Sequence, residues 1–340
     1  ENDAKKVTVT RTGSSPVSSV NTGLIGAGSF AQSYLIPNVK AFGATLDGVV
    51  DAKGISSKNV SEEFGFNFCS SDPEDVFKKE DINTVFIATP HSFHAGLVVR
   101  SLKAGKNTFT EKPLAIDEEQ MKEVIEAVKT SDKPVMVGFN RRFAPVSEAI
   151  KKEFRNMDEP LVINIRVNAG AIPKEHWTQQ PEIGGGRIIG EACHFIDLMQ
   201  YFSGAEPVSV FAQSIISDNS KITPEDNIAV IVKFADGSVG NLTYLANGDK
   251  TLPKERIEVF GGGIIGIIND FRDGAIYRNG RMTRLKSPGK GHREEISAFL
   301  SAVRDGKESP ISFRSICLTT LTTFRILDSI HTGLPQDINI

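Results

Sequence analysis

The sequence predicts an α/β protein in two parts. A doubly wound parallel sheet over residues 20–141 precedes an α+β part over residues 142–340, whose sheet is open and mainly antiparallel. Three observations carry this. Short apolar runs alternate with helix-period segments up to Gly138. Beyond Asn140 the texture changes to closely spaced strand-like runs with turn signals. The length, 340 residues, suits two cores better than one.

Residues 1–19 are polar, rich in Ser and Thr, and read as a linker. Strands are expected at Val20–Ile25, Leu46–Asp51, Thr84–Ala88, Asn107–Thr110 and Pro134–Gly138. Helices are expected at Ser29–Ala41, Ser56–Phe64, Pro73–Lys79, Ser92–Ala104 and Asp117–Thr130. Short continuous apolar strands between helices belong to a parallel sheet covered on both faces. Gly105 and Asp132–Pro134 stand where helices should stop. In the second part, 144–154 and Arg187–Phe202 have helical spacing. Leu161–Asn168, Val208–Ser217, Ile228–Phe234, Val239–Ala246, Arg256–Phe260 and Ile264–Asn269 read as strands, with turns at Ala235-Asp236-Gly237 and Arg278-Asn279-Gly280. Helices at Arg293–Val303 and Phe313–His331 close the chain.

Net charge is −3, with 24% charged residues. That balance argues against a nucleic-acid partner, which needs concentrated Lys and Arg. The longest apolar stretch, Gly261–Ile268, is too short to span a bilayer. Three scattered cysteines without a CxxC pair point to neither a disulfide framework nor a metal site, and fit a reducing cytoplasm.

Gly26-Ala27-Gly28-Ser29-Phe30-Ala31 follows the first strand and opens the first helix. In G-x-G-x-x-A the first Gly makes the tight turn and the second lets the backbone approach a pyrophosphate. The small Ala31 lets helix and strand pack closely. The helix N-terminus stabilises the phosphate charge. A dinucleotide is therefore expected. Asp51, at the end of the second strand and roughly 20 residues further on, is placed to accept the ribose hydroxyls and repel a 2′-phosphate, the alternative being that it simply caps the next helix. NAD is expected over NADP, with Lys53, Ser56, Ser57 and Lys58 near enough to soften the choice. Thr89-Pro90-His91 follows the third strand and should line the cofactor; His94, near the start of the next helix, either joins it there or serves as a helix-capping or packing residue. Glu111-Lys112-Pro113 ends the fourth, with Pro113 a candidate for a cis peptide. A lysine held there beside a cationic ring is a plausible acid/base.

GAGSFA, ATPHSFH, EKPLA, GFNRRF and GGGRIIGEACHFID occur in that order. Together they resemble the glucose–fructose oxidoreductase, inositol dehydrogenase and MocA (Gfo/Idh/MocA) family, over residues 20 to about 331. The stretch from Val167 through Trp177 to Gly186 is most similar to the module that follows a zinc-alcohol-dehydrogenase-like half in bi-domain oxidoreductases. The start at Glu1 agrees with a piece cut from such a chain. The resemblance implies a Rossmann domain and an α/β domain used for substrate binding and oligomer contacts. It also implies NAD or NADP and a sugar, cyclitol or nucleotide-sugar substrate. Lys112 matches the family's EKP lysine and His194 its active-site histidine. Many relatives carry an Asp four residues before that histidine, where this chain has Gly190 followed by Glu191. Glu191 either shares a helix face with His194 and replaces the carboxylate, or points elsewhere. Asn140, Arg141 and Arg142 fall at the domain junction. One Arg is expected to bind a substrate anion and the other to bridge domains. Trp177 either stacks on a sugar or is simply buried. Two rival readings stay open: an enzyme that retains its cofactor and acts by transient oxidation, and a non-catalytic dinucleotide-binding module.

Overall fold

A computed structural model describes residues 15–155, 157–219 and 222–340. Of the expected linker, residues 1–14 lie outside them; Val17 N–H donates to the Arg304 carbonyl.

The first sheet contains β1 (Asn21–Ile25), β2 (Thr45–Val50), β3 (Phe68–Ser70), β4 (Thr84–Ile87), β5 (Asn107–Thr110) and β6 (Val135–Val137). The strands pair in parallel in the order β3-β2-β1-β4-β5-β6. This is the order of dinucleotide-binding doubly wound sheets, and the crevice opens between β1 and β4, where the winding reverses. The connecting helices are α1 (Ile36–Phe42), α2 (Gly54–Phe64), α3 (Glu74–Phe77), α4 (His94–Lys103) and α5 (Glu118–Lys129). A wide π turn, Ala31–Leu35, precedes α1. The buried faces of β4 and β5 are Thr-Val-Phe-Ile and Asn-Thr-Phe-Thr, and Phe86 stacks on Phe109 at 5.1 Å.

After α6 (Pro145–Phe154) and β7 (Val162–Asn168), α7 (Cys193–Ser203) leads into β8 (Pro207–Ser214). Then follow β9 (Ile228–Phe234), β10 (Val239–Leu245), β11 (Glu255–Gly261), β12 (Ile264–Asn269), β13 (Asp273–Arg278) and β14 (Arg281–Lys286). The chain ends with α8 (His292–Arg304), α9 (Phe313–Thr332) and β15 (Gln336–Asp337). These strands make one sheet in the order β14-β13-β12-β11-β7-β10-β9-β8-β15. All its pairs are antiparallel but β7–β10. Helices α6, α7 and α9 pack on one face. The other face stays open, as the strict burial alternation of β9 records.

The sequence reading did not include β3, β13, β14 or β15. It also assigned α8 to the second part, whereas α8 packs on the first: Phe299 meets Phe86 and Phe109 at 5.9 and 5.6 Å. The two sheets share one apolar core.

Candidate active site

A cleft of about 1120 Å³ runs from the β1–β2 edge across the domain junction. Gly26 turns the chain with φ +98°, and a Cβ there would run into the Ala88 carbonyl. Around Gly28 a Cβ would meet nothing within 4 Å, so backbone and open space face each other where the motif puts a diphosphate. Asp51 Oδ2 accepts the Ala27 N–H at 3.0 Å and Oδ1 the Lys53 N–H at 2.9 Å. These bonds fix the carboxylate at the tip of β2 and leave it acceptor capacity for ribose hydroxyls. The residues present thus fit a dinucleotide. Every residue expected to touch cofactor or substrate lines the cleft except Ala27; its side chain is buried.

Lys112 leaves β5 through a cis Lys112–Pro113 peptide. Its Nζ donates to the Gly190 carbonyl, in the second domain, at 2.9 Å. Glu111 beside it is buried, and burial raises its carboxyl, against the pull of Lys112. Gly138 leaves room for that carboxylate, since a Cβ would fall 2.9 Å from Glu111 Oε1. His194, on α7, is buried at 8% exposure. Burial first, then the cations Arg141 and Lys112, hold its imidazole well below the ordinary range. Lys112 and His194 therefore lie in one cleft within electrostatic reach.

The geometry corrects three expectations. His94 borders the cleft but has no ring nitrogen free for a cofactor: its buried ring braces two loops, with Nδ1 2.7 Å from the Pro113 carbonyl and Nε2 2.9 Å from that of Thr89. Arg141 is not free for a substrate anion, because Glu255 takes its fork with two bonds of 2.9 Å and Lys290 joins at 2.6 Å. Burial alone would raise Glu255, but Arg141 and Lys290 hold it at about 2. Glu191 does not meet His194. The helix opens with a π turn, Ile188–Ala192, whose wider winding breaks the α-helical i, i+3 alignment. Glu191 instead accepts from Arg187 at 3.1 Å and Tyr244 at 2.8 Å and pairs with Lys254 at 3.5 Å. Burial opposes its charge, yet Lys254, Arg187 and Lys112 hold it at about 2. Asn140 Nδ2 donates to the Lys290 carbonyl at 2.9 Å, and Arg142 pairs with buried Asp197. Trp177 is 37% exposed and meets the His91 ring edge-on at 4.8 Å.

Lys254, Lys290 and His292 also line the cleft and were not expected. For Lys290 and His292 the signal was the Gly289-Lys290-Gly291 run before α8; Lys254, just ahead of β11, carried none. Gly291 has φ +89° and packs against the Asn140 turn, where a Cβ would strike the Asn140 carbonyl. Among the described residues no three His, Cys, Asp or Glu side chains are grouped to hold a metal ion. None of the described helices is long and apolar enough to cross a membrane.

Residues 20–139 match the model of an oxidoreductase family with an NAD-binding Rossmann fold, and residues 157–263 match the GFO/IDH/MocA C-terminal domain. The chain belongs to the Gfo/Idh/MocA oxidoreductase family. Its first domain is the family's NAD-binding domain. The chain is similar to a myo-inositol 2-dehydrogenase of Thermotoga maritima, 25% identical over 307 residues, 85% of this chain and 90% of that one. An inositol 2-dehydrogenase of Rhizobium meliloti is 27% identical over 306 residues, with the same two coverages of 85% and 90%. Among solved structures, a levoglucosan dehydrogenase in complex with NADH and levoglucosan superposes with a TM-score of 0.83. Its sequence is 23% identical, and the match covers 95% of this chain and 100% of that one.

Proposed function

We propose that this oxidoreductase moves hydride between NAD and a hydroxyl-bearing carbon of a sugar, cyclitol or nucleotide sugar. One observation carries the reading: Lys112, from the end of β5, and His194, from the second domain, face the cleft that begins at the glycine turn. Bound NAD supplies the hydride acceptor. His194, neutral because burial and neighbouring cations oppose its charge, presents a lone pair to take the hydroxyl proton. Lys112 donates to the same oxygen and stabilises the negative charge that builds on it. The dehydrogenases acting on inositol and levoglucosan named above support a polyhydroxy substrate. Asp51, fixed at the ribose end, favours NAD over NADP. We further infer that two copies associate through the open face of the second sheet, where Val162, Ile231 and Tyr277 are exposed.

The test is NADH formation from NAD with a panel of myo-inositol, scyllo-inositol, levoglucosan, glucose and a set of nucleotide sugars. At least one should be oxidised. Lys112→Ala and His194→Ala should each cut turnover about 10²-fold or more while NAD still binds. Near-full activity in either variant overturns the assigned roles, and no turnover of any panel member overturns the reading.

A further inference from the structure

The mechanism above uses His194 and leaves the buried imidazole of His91, which also lines the cleft, without a role. His91 begins the short turn His91–Phe93 that leads into α4. Its Nδ1 lies 2.7 Å from the Gly184 carbonyl. A carbonyl only accepts, so Nδ1 carries the hydrogen and Nε2 is left as a bare lone pair. The next residue repeats the tie: Ser92 N–H donates to the Ile183 carbonyl at 3.0 Å. Ring and loop are thereby fixed together. Among the described residues Nε2 has no partner, and His91 lines the cleft. His194 differs: among the described residues its buried Nδ1 has no hydrogen-bond partner.

Gly190 brings His91 to Lys112. A Cβ built on Gly190 would fall 2.7 Å from His91 Cε1, so the ring fills the room that a side chain at 190 would take. The carbonyl of the same residue holds the Lys112 ammonium at 2.9 Å. The Trp177 ring closes the other side at 4.8 Å. Lys112 and His91 are thus both packed against one glycine of the cleft.

We propose that His91 Nε2 accepts a hydrogen bond from a second substrate hydroxyl, adjacent to the one Lys112 holds, and so selects polyols with neighbouring hydroxyls. This rests on the dehydrogenase reading. Burial, and then Lys112, lower the His91 imidazole to about 3, with Glu191 pulling the other way. The ring stays a neutral acceptor through the working pH range.

His91→Asn keeps an amide donor for Gly184 and removes Nε2. On the panel alcohol that the wild type oxidises best, kcat/KM should fall roughly 10–100-fold at saturating NAD. The monodeoxy analogues of that alcohol supply the deciding readout. One of them should lose as much with the wild type, and His91→Asn should cost nothing further on it. Gly190→Ala, which drives a methyl toward Cε1 while keeping the carbonyl, should give the same selective loss and stands in if His91→Asn does not fold. Wild-type kinetics in His91→Asn, or an equal loss on every deoxy analogue, overturns the inference alone. A wild type that oxidises no panel member overturns the dehydrogenase reading first, and this inference with it.

Discussion

At Lys112 a strand end of the first sheet reaches a carbonyl of the second domain, so one hydrogen bond measures how the halves are set against each other. Its neighbours show what local motifs convey. The lysine and His194 were legible because each sits in a short motif with its own backbone context. The partner of Arg141 was not, since Glu255 is 114 positions away and only the fold joins them. That pair permits a test of stability. Glu255 sits at about 2 in the fold and about 4.3 when unfolded. The unfolded chain therefore takes up the proton first as pH falls. The stabilisation is complete above about pH 4.3 and is lost on the way down to about 2. Glu255→Gln leaves the buried Arg141 without its carboxylate, Lys290 keeping only Asp270 at 3.8 Å, and should cost about 3–5 kcal/mol at pH 7. Denaturant unfolding should show the gap from wild type closing across that acid window. A gap independent of pH would assign the cost to packing instead.

The elements that position the site were legible where apolar period and termini agreed. Helix α5 is an example: Asp117 caps it, its Oδ1 accepting the Gln120 N–H at 2.8 Å. Asp117→Ala, at a residue that does not line the cleft, should lower stability by about 1 kcal/mol and leave turnover unchanged, as read by thermal unfolding and NADH formation. Gly26→Ala should act differently. It meets both a left-handed backbone and the Ala88 carbonyl, so calorimetry should show NAD binding lost along with about 1–3 kcal/mol of stability. What stayed hidden has physical causes. Strand β3 has three residues and no buried face. β14 is an edge strand of exposed, mostly polar residues, whose pattern is that of a loop. The π turns at Ala31–Leu35 and Ile188–Ala192 differ from an α-helix in hydrogen-bond register, which composition does not encode. The second of them directs Glu191 to Tyr244 and Lys254 instead of His194.

Across the whole molecule, the alternation of strand and helix made the parallel sheet legible, and the dense turns made the second sheet legible. The return of α8 to the first sheet was not. An amphipathic helix records that it has a buried face, not which sheet it covers. The open face of the second sheet carries its own expectation. Light scattering should give at least twice the chain mass, and Ile231→Lys with Tyr277→Lys should reduce it to one chain; a monomeric wild type would contradict self-association. Calorimetry of the wild type with each pyridine coenzyme bears most directly on the joint design of glycine turn, Asp51 and cleft. NAD should bind once per chain and at least about tenfold more tightly than NADP, the factor expected of about 1.4 kcal/mol. A chain that binds neither coenzyme would contradict the account.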